Sequence, residues 1–181
     1  IGEVATPQTE SPVYTTLGLC LSKGDRFDWA IQKATELGVG AVTPLYSERV
    51  DFSIPPDRIE KRVAHWRQIV ISACEQSGRV SIPAVSSPQP LEQWVQSVAA
   101  EQKWVLHCDD HGATRSGASK EAPADAALLI GPEGGLTDQE ITRACENSFG
   151  VLRLGPRVLR TETAPVVALS ALSVYWGEMP G

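Results

Sequence analysis

This chain is short of most features that would place it in a special class. No run approaches the roughly 18 consecutive apolar residues that a membrane span needs. The opening from Ile1 to Ser11 has neither a basic start nor an apolar segment, so no signal peptide is expected and the cytoplasm is the default location. Cysteine is sparse: Cys20, Cys74, Cys108 and Cys145 stand singly, without the close pairs of a zinc ribbon or redox motif. Buried free thiols in a reducing compartment are expected. An excess of positive charge is missing too, since 16 Lys and Arg face 22 Asp and Glu for a net charge of −6. Any nucleic-acid contact must therefore come from a local basic cluster or from another part of the molecule. The single methionine is Met179 and the chain begins at Ile1, so a missing N-terminal portion is expected.

What is present is the composition of one ordinary globular unit, 181 residues with 42% hydrophobic and 21% charged, long enough for its own core. Tyr14 to Leu21 reads as a strand, and Lys23-Gly24-Asp25 as a turn. Phe27 to Leu37 has helical spacing, closed by Gly38 at a left-handed cap position. Ala41 to Tyr46 is a second strand. Pro55-Pro56-Asp57 opens a helix to about Ser77, with Ile59, Val63, Trp66, Val70 and Ala73 as its apolar stripe. A short helix from Leu91 to Ala100 follows a Ser/Pro-rich loop, and Lys103 to Cys108 is a strand. Asp109 to Asp125 reads as an exposed, mobile loop. Ala126 to Ile130 is a buried strand. Thr137-Asp138-Gln139-Glu140 is a capping box that opens a helix to about Ser148. Val151 to Leu154 is the last strand, and Ala164 to Tyr175 the closing helix. Alternating strands and helices predict an α/β fold with a mainly parallel sheet covered on both faces.

Two Gly/Pro-rich loops follow short apolar strands near the C-terminal end: Gly131-Pro132-Glu133-Gly134-Gly135, and the segment from Leu154 through Gly155-Pro156-Arg157-Val158-Leu159-Arg160-Thr161-Glu162-Thr163 to Ala164. Loops at the carboxyl ends of parallel strands are where such sheets bind ligands, so the pair suggests one composite pocket. The first is not a P-loop, having no Gly-Lys-Ser/Thr ending, and it lacks the Gly-x-Gly-x-x-Gly order of a dinucleotide site. A purely structural turn remains an alternative for it. In the second, Thr161 or Thr163 as helix cap and Glu162 as a favourable first-turn charge is the plain reading. Two arginines brought to a strand end go beyond that.

Three other clusters carry chemistry on paper. His107-Cys108-Asp109-Asp110-His111 superficially suggests a metal site, but it lies across a strand end and a loop rather than on a helix, and no metal is assigned. His65 reads as a partly exposed histidine on its helix. Glu75-Gln76-Ser77-Gly78-Arg79 is either a helix C-cap with Gly78 left-handed or a substrate-facing rim.

Phe27-Asp28-Trp29-Ala30-Ile31-Gln32-Lys33-Ala34-Thr35-Glu36-Leu37-Gly38-Val39, then Cys74-Glu75-Gln76-Ser77-Gly78-Arg79, then the two loops, in this order closely resemble the RsmE family. These are the ribosomal RNA small-subunit methyltransferases E, of the SPOUT class. The resemblance spans Tyr14 to Tyr175, with small departures at His65, where Arg often precedes Trp66, and at Leu136, where Phe commonly follows the double glycine. It implies S-adenosylmethionine as methyl donor, N3 of one uridine in 16S ribosomal RNA of the small subunit as acceptor, a C-terminal deep trefoil knot and a homodimer built around it. It also implies that this chain is the catalytic domain alone, without the N-terminal PUA-like RNA-binding domain of the family.

On this reading Leu106, His107, Gly131, Pro132, Glu133, Gly134, Gly135, Leu154, Gly155, Val158, Leu159, Arg160, Thr161, Thr163 and Ala164 build the cofactor site. A carboxylate, Glu162 first and Glu133 second, assists loss of the N3 proton, and Arg160 stabilises charge on the uracil oxygens. Lys23, Arg49 and Arg79 are the expected RNA contacts. The alternatives are a cofactor- or RNA-binding module without catalysis, and a Rossmann-like enzyme using ATP or NAD, which both missing phosphate fingerprints disfavour.

Overall fold

Residues that alternate in side-chain direction along a central strand must be apolar on both sides when helices cover both faces of a sheet. The strand Asp125–Ile130 shows this, with Ala126 to Ile130 all buried. In the computed structural model, which describes residues 9–107 and 121–179, Leu128 and Ile130 belong to one core while Ala127 and Leu129 belong to a second on the opposite face. Between them lies a single sheet. Its strands are β1 (Tyr14–Cys20), β2 (Ala41–Tyr46), β3 (Ala84–Val85), β4 (Gln89–Pro90), β5 (Gln102–Leu106), β6 (Asp125–Ile130) and β7 (Gly150–Leu152). The order across the sheet is β3-β2-β1-β6-β5-β7, with β4 also pairing with β2. Every one of these pairings is parallel.

The first core is covered by α1 (Arg26–Glu36), α2 (Pro56–Ser77) and α5 (Thr163–Tyr175). Phe27, Ala30, Ile31 and Ala34 of α1 meet Val63, Trp66 and Val70 of α2, and Phe27 and Trp66 pack with ring centroids 4.8 Å apart. Ala164, Ala168 and Leu172 form the buried row of α5 at the i, i+4 spacing. The second core is covered by α3 (Leu91–Ser97) and α4 (Asp138–Glu146). Trp94 of α3 lies so close to β1 that a Cβ on Gly18 would come within 2.6 Å of its ring. Gly18 therefore makes the room that lets α3 reach the sheet.

The predicted helices and strands appear with small shifts at their ends. Gly38 and Gly78 both adopt the left-handed conformation after their helices, at φ 88° and 75°, so the Glu75 to Arg79 segment is a helix C-terminus. Both halves of the capping box on α4 form: Thr137 Oγ1 accepts from the Glu140 amide at 3.3 Å, and Glu140 Oε2 accepts from the Thr137 amide at 2.8 Å. Two expectations are corrected. The Ser/Pro-rich loop holds the two-residue strands β3 and β4, too short to show any periodicity. At α5 neither threonine is the cap: the N-cap is Glu162, in helical conformation and without a side-chain cap bond. The amides of Thr163 and Ala164 instead donate to the Arg160 carbonyl at 3.0 and 2.9 Å, so a tight main-chain turn already serves the donors that a cap would take. Most of the predicted loop from Asp109 to Asp125 lies outside the described residues, and Asp125 itself belongs to β6.

A candidate cofactor pocket at the strand ends

Strands β6, β5 and β7 are neighbours in that order, so the two Gly/Pro-rich loops flank the end of β5. This brings Leu106 and His107 between them. Together they enclose a cavity of about 350 Å³, within the roughly 300–1,000 Å³ usual for small-molecule sites. Its floor is apolar, since Leu106, Leu152, Leu154 and Leu159 pack against the first core.

The first wall is a turn in which the Gly135 amide donates to the Pro132 carbonyl at 2.8 Å, with Gly135 at φ 70°. A side chain at Gly131 would meet Leu136 Cγ at 2.9 Å, so glycine is required for the chain to fold back on itself. Glu133 lines the cavity, yet its Oε1 is engaged, accepting from Arg26 Nη1 at 2.9 Å and from the Lys23 amide at 3.2 Å.

The second wall contains Gly155 at φ 102° and the buried Thr161. Arg160 and Glu162 both line the cavity, in contrasting surroundings: the Arg160 side chain is 79% exposed and that of Glu162 only 17%, with 3.9 Å between Nη1 and Oε1. Exposed Val158 and Arg157 complete its rim.

Most of the expected cofactor residues therefore meet at one cavity. Gly134 and Thr163 do not line it: Gly134 turns toward Arg49, and Thr163 is the first residue of α5. Arg157 lines the cavity as part of the second loop, whereas Arg26, Ile130, Leu136 and Leu152 were not foreseen as lining. The signal for Arg26 was available, because the loop after β1 also opens at the carboxyl edge of the sheet.

The expected RNA contacts separate. Lys23 is exposed beside Asp51, 2.6 Å away, and that ion pair holds the Asp51 carboxyl below its ordinary range. Arg49 donates to the Gly134 carbonyl at 2.6 Å. Arg79 is a correction: its side chain is only 4% exposed, ion-paired with Glu10 at 2.6 Å and donating to the carbonyls of Thr35 and Val39. It fastens the end of α2 to the end of α1 and has no surface to offer RNA.

Of the cysteines, Cys20 and Cys74 are buried and Cys145 half-buried, and burial pushes the Cys20 thiol up to about 12. Cys108 to His111 lie outside the described residues. His65 is half-exposed, 2.5 Å from Asp28 Oδ2, whose other oxygen accepts from the Trp66 indole at 3.0 Å. No helix among the described residues is long and apolar enough to cross a membrane.

The pocket has apolar leucine walls, glycine turns and no lysine in either loop, with Arg26, Arg157 and Arg160 in its lining. Residues 9–173 match the model of the RNA methyltransferase domain family. Ribosomal RNA small subunit methyltransferase E of Buchnera aphidicola (from Schizaphis graminum) is 35% identical over 170 residues, covering 94% of this chain and 69% of that one. The structure of ribosomal RNA small subunit methyltransferase E from Neisseria gonorrhoeae, bound to S-adenosyl methionine, superposes with a TM-score of 0.84 at 40% identity, over 94% of this chain and 70% of the other. A Legionella pneumophila protein solved in complex with bound SAM gives 0.84 at 42% identity, over 91% of this chain and 67% of the other. The chain thus spans about two thirds of each of these relatives.

Proposed function

Because the chain belongs to the ribosomal RNA small subunit methyltransferase E family, we propose that it methylates ribosomal RNA with S-adenosylmethionine, at N3 of a uridine in the small-subunit RNA. The observation that carries this reading is the single cavity formed by the ends of β5, β6 and β7, where the two glycine-containing loops and the leucine floor meet. Bound there, S-adenosylmethionine supplies an electrophilic methyl group.

The chain's own residues do the rest. Gly131, Gly135 and Gly155 let the main chain approach the ligand closely, while Leu106, Leu154 and Leu159 exclude water from its apolar parts. Holding the two reactants in line accounts for much of the acceleration, up to about 7–11 kcal/mol in favourable cases. Uridine N3 must lose its proton, and Glu162 is the first candidate to receive it at a carboxylate oxygen, being sheltered and without a cap bond to make. Glu133 comes second, since its Oε1 already serves Arg26 and Lys23. Arg160 offsets negative charge on the uracil oxygens, a role that strengthens once RNA or a partner covers its exposed guanidinium.

The finer features belong to the same proposal. Lys23 and the rim arginines Arg157 and Arg160 supply the local positive charge that the overall −6 does not. A homodimer formed around the C-terminal region, with its knot, would cover Val158, Val174 and Tyr175, three exposed apolar residues of that region.

The test is mass spectrometry of 16S RNA after incubation with S-adenosylmethionine and this chain, beside a version extended at its N-terminus. Methylation at uridine N3 is expected. Binding of S-adenosylmethionine with no methylation by either version would favour a binding module instead. Within an active enzyme, Glu162→Gln should lower single-turnover methylation by about 10²–10⁴-fold with little change in cofactor affinity. An unchanged rate would remove Glu162 from the base role.

A further inference from the structure

The first glycine of the Gly134-Gly135 pair is explained outside the cavity. Gly134 does not line the cavity, and its φ is not in the left-handed region, so neither ligand approach nor backbone conformation calls for glycine there. The Arg49 side chain does. An added Cβ on Gly134 would lie 3.3 Å from Arg49 Cβ and 3.4 Å from its Cδ, and one on Gly135 would lie 3.8 Å from Nη1. Arg49 thus lies flat along both glycines, and its guanidinium donates to the Gly134 carbonyl at 2.6 Å. On the other side, Glu133 is held by Arg26 and the Lys23 amide. Because β2, β1 and β6 are consecutive in the sheet, the loops after all three are tied together at the loop that forms one wall of the cavity.

We propose that Arg49 is a positioning residue: it braces the Gly131 to Gly135 wall of the cofactor cavity from behind, and it is not an RNA contact. This rests on the methyltransferase reading above. A loop with three glycines has more conformational freedom to lose than the same loop with side chains at those positions, and a charge-assisted hydrogen bond to its outward carbonyl restrains it. Without Arg49, water can take over the exposed Gly134 carbonyl, so the fold survives while the wall loosens.

The experiment measures S-adenosylmethionine affinity by calorimetry, amide exchange of residues 131–136 without cofactor, and RNA affinity against salt. It uses wild type, Arg49→Ala, Arg49→Lys, Gly134→Ala and the Arg49/Gly134 double alanine variant. Arg49→Ala should weaken cofactor binding about tenfold or more, speed exchange of the Gly135 amide, and leave the salt slope of RNA binding unchanged. Arg49→Lys should fall between, keeping the stem and one donor. Gly134→Ala should weaken binding by crowding Arg49, and do so less in the Arg49→Ala background, so that the two effects are not additive. Should Arg49→Ala fail to fold, Gly134→Ala against wild type carries the comparison.

The proposal is overturned if Arg49→Ala keeps cofactor affinity and exchange while lowering RNA affinity and making the salt slope shallower by about one. Strict additivity of the two substitutions would also overturn it. A wild-type chain that binds no S-adenosylmethionine would overturn the underlying reading instead, and faster exchange in Arg49→Ala would still show the brace on the loop.

Discussion

Arg79 and Glu10 meet 2.6 Å apart across 69 residues of chain, and the arginine side chain is almost wholly inside the protein. The hydrogen bond from Arg79 holds the Glu10 carboxyl below its ordinary 4.5, helped by the amides of Ser81 and Val80 and opposed by partial burial. A lowered folded-state value means the stabilisation is complete above the unfolded value of about 4.5 and is lost as pH falls through the folded one. Glu10→Gln should therefore lower the urea midpoint at neutral pH, and the gap to wild type should narrow as pH falls below about 4.5. A gap that stays constant across that range would show that the charge contributes nothing. The type of chemistry at such residues was legible from the sequence, but their partners were not. Arg49 and Arg79 both read as basic residues suited to RNA, yet one lies along a glycine loop and the other is buried between two helices. Glu133 read as the second candidate to take the N3 proton, and one of its oxygens is held by Arg26. The difference arises because each partner comes from a distant stretch of chain that only the fold brings near.

The helix α4 shows what local sequence can specify by itself. Its capping box was readable because both partners lie within four residues, and both bonds form. One contact was not readable: Glu140 Oε1 also accepts from the Glu48 amide at 2.9 Å, joining α4 to the loop after β2. Thr137→Ala should cost about 0.5–2 kcal/mol in chemical denaturation. Glu140→Ala should cost more, since it removes half of the box and also the Glu48 contact. Equal losses would mean that the Glu48 link adds nothing. At α5 the same reasoning misplaced the cap, because the turn at Arg160 already satisfies the amides of Thr163 and Ala164 that Thr161 would have served. The two-residue strands β3 and β4 were illegible for a different reason: pairing defines them, and no side-chain pattern does.

Across the whole molecule, one sheet separates two cores, with Trp66 and Trp104 in the first and Trp94 in the second. Since β1 and β6 contribute to both, the faces should melt together. Urea unfolding followed by tryptophan fluorescence and by far-ultraviolet circular dichroism is expected to give coincident transitions; two separated midpoints would show that the faces unfold independently. By itself the sequence determined the alternation of strands and helices, the covering of both sheet faces and the two ligand loops, because spacing, caps and glycine turns act over a few residues. Only the tertiary structure decided that β5 would lie between those loops, that Arg26 would join the cavity, and that Gly134 would turn away from it toward Arg49. Strand order and ion pairing depend on which distant segments the cores pack together, and no local pattern encodes that.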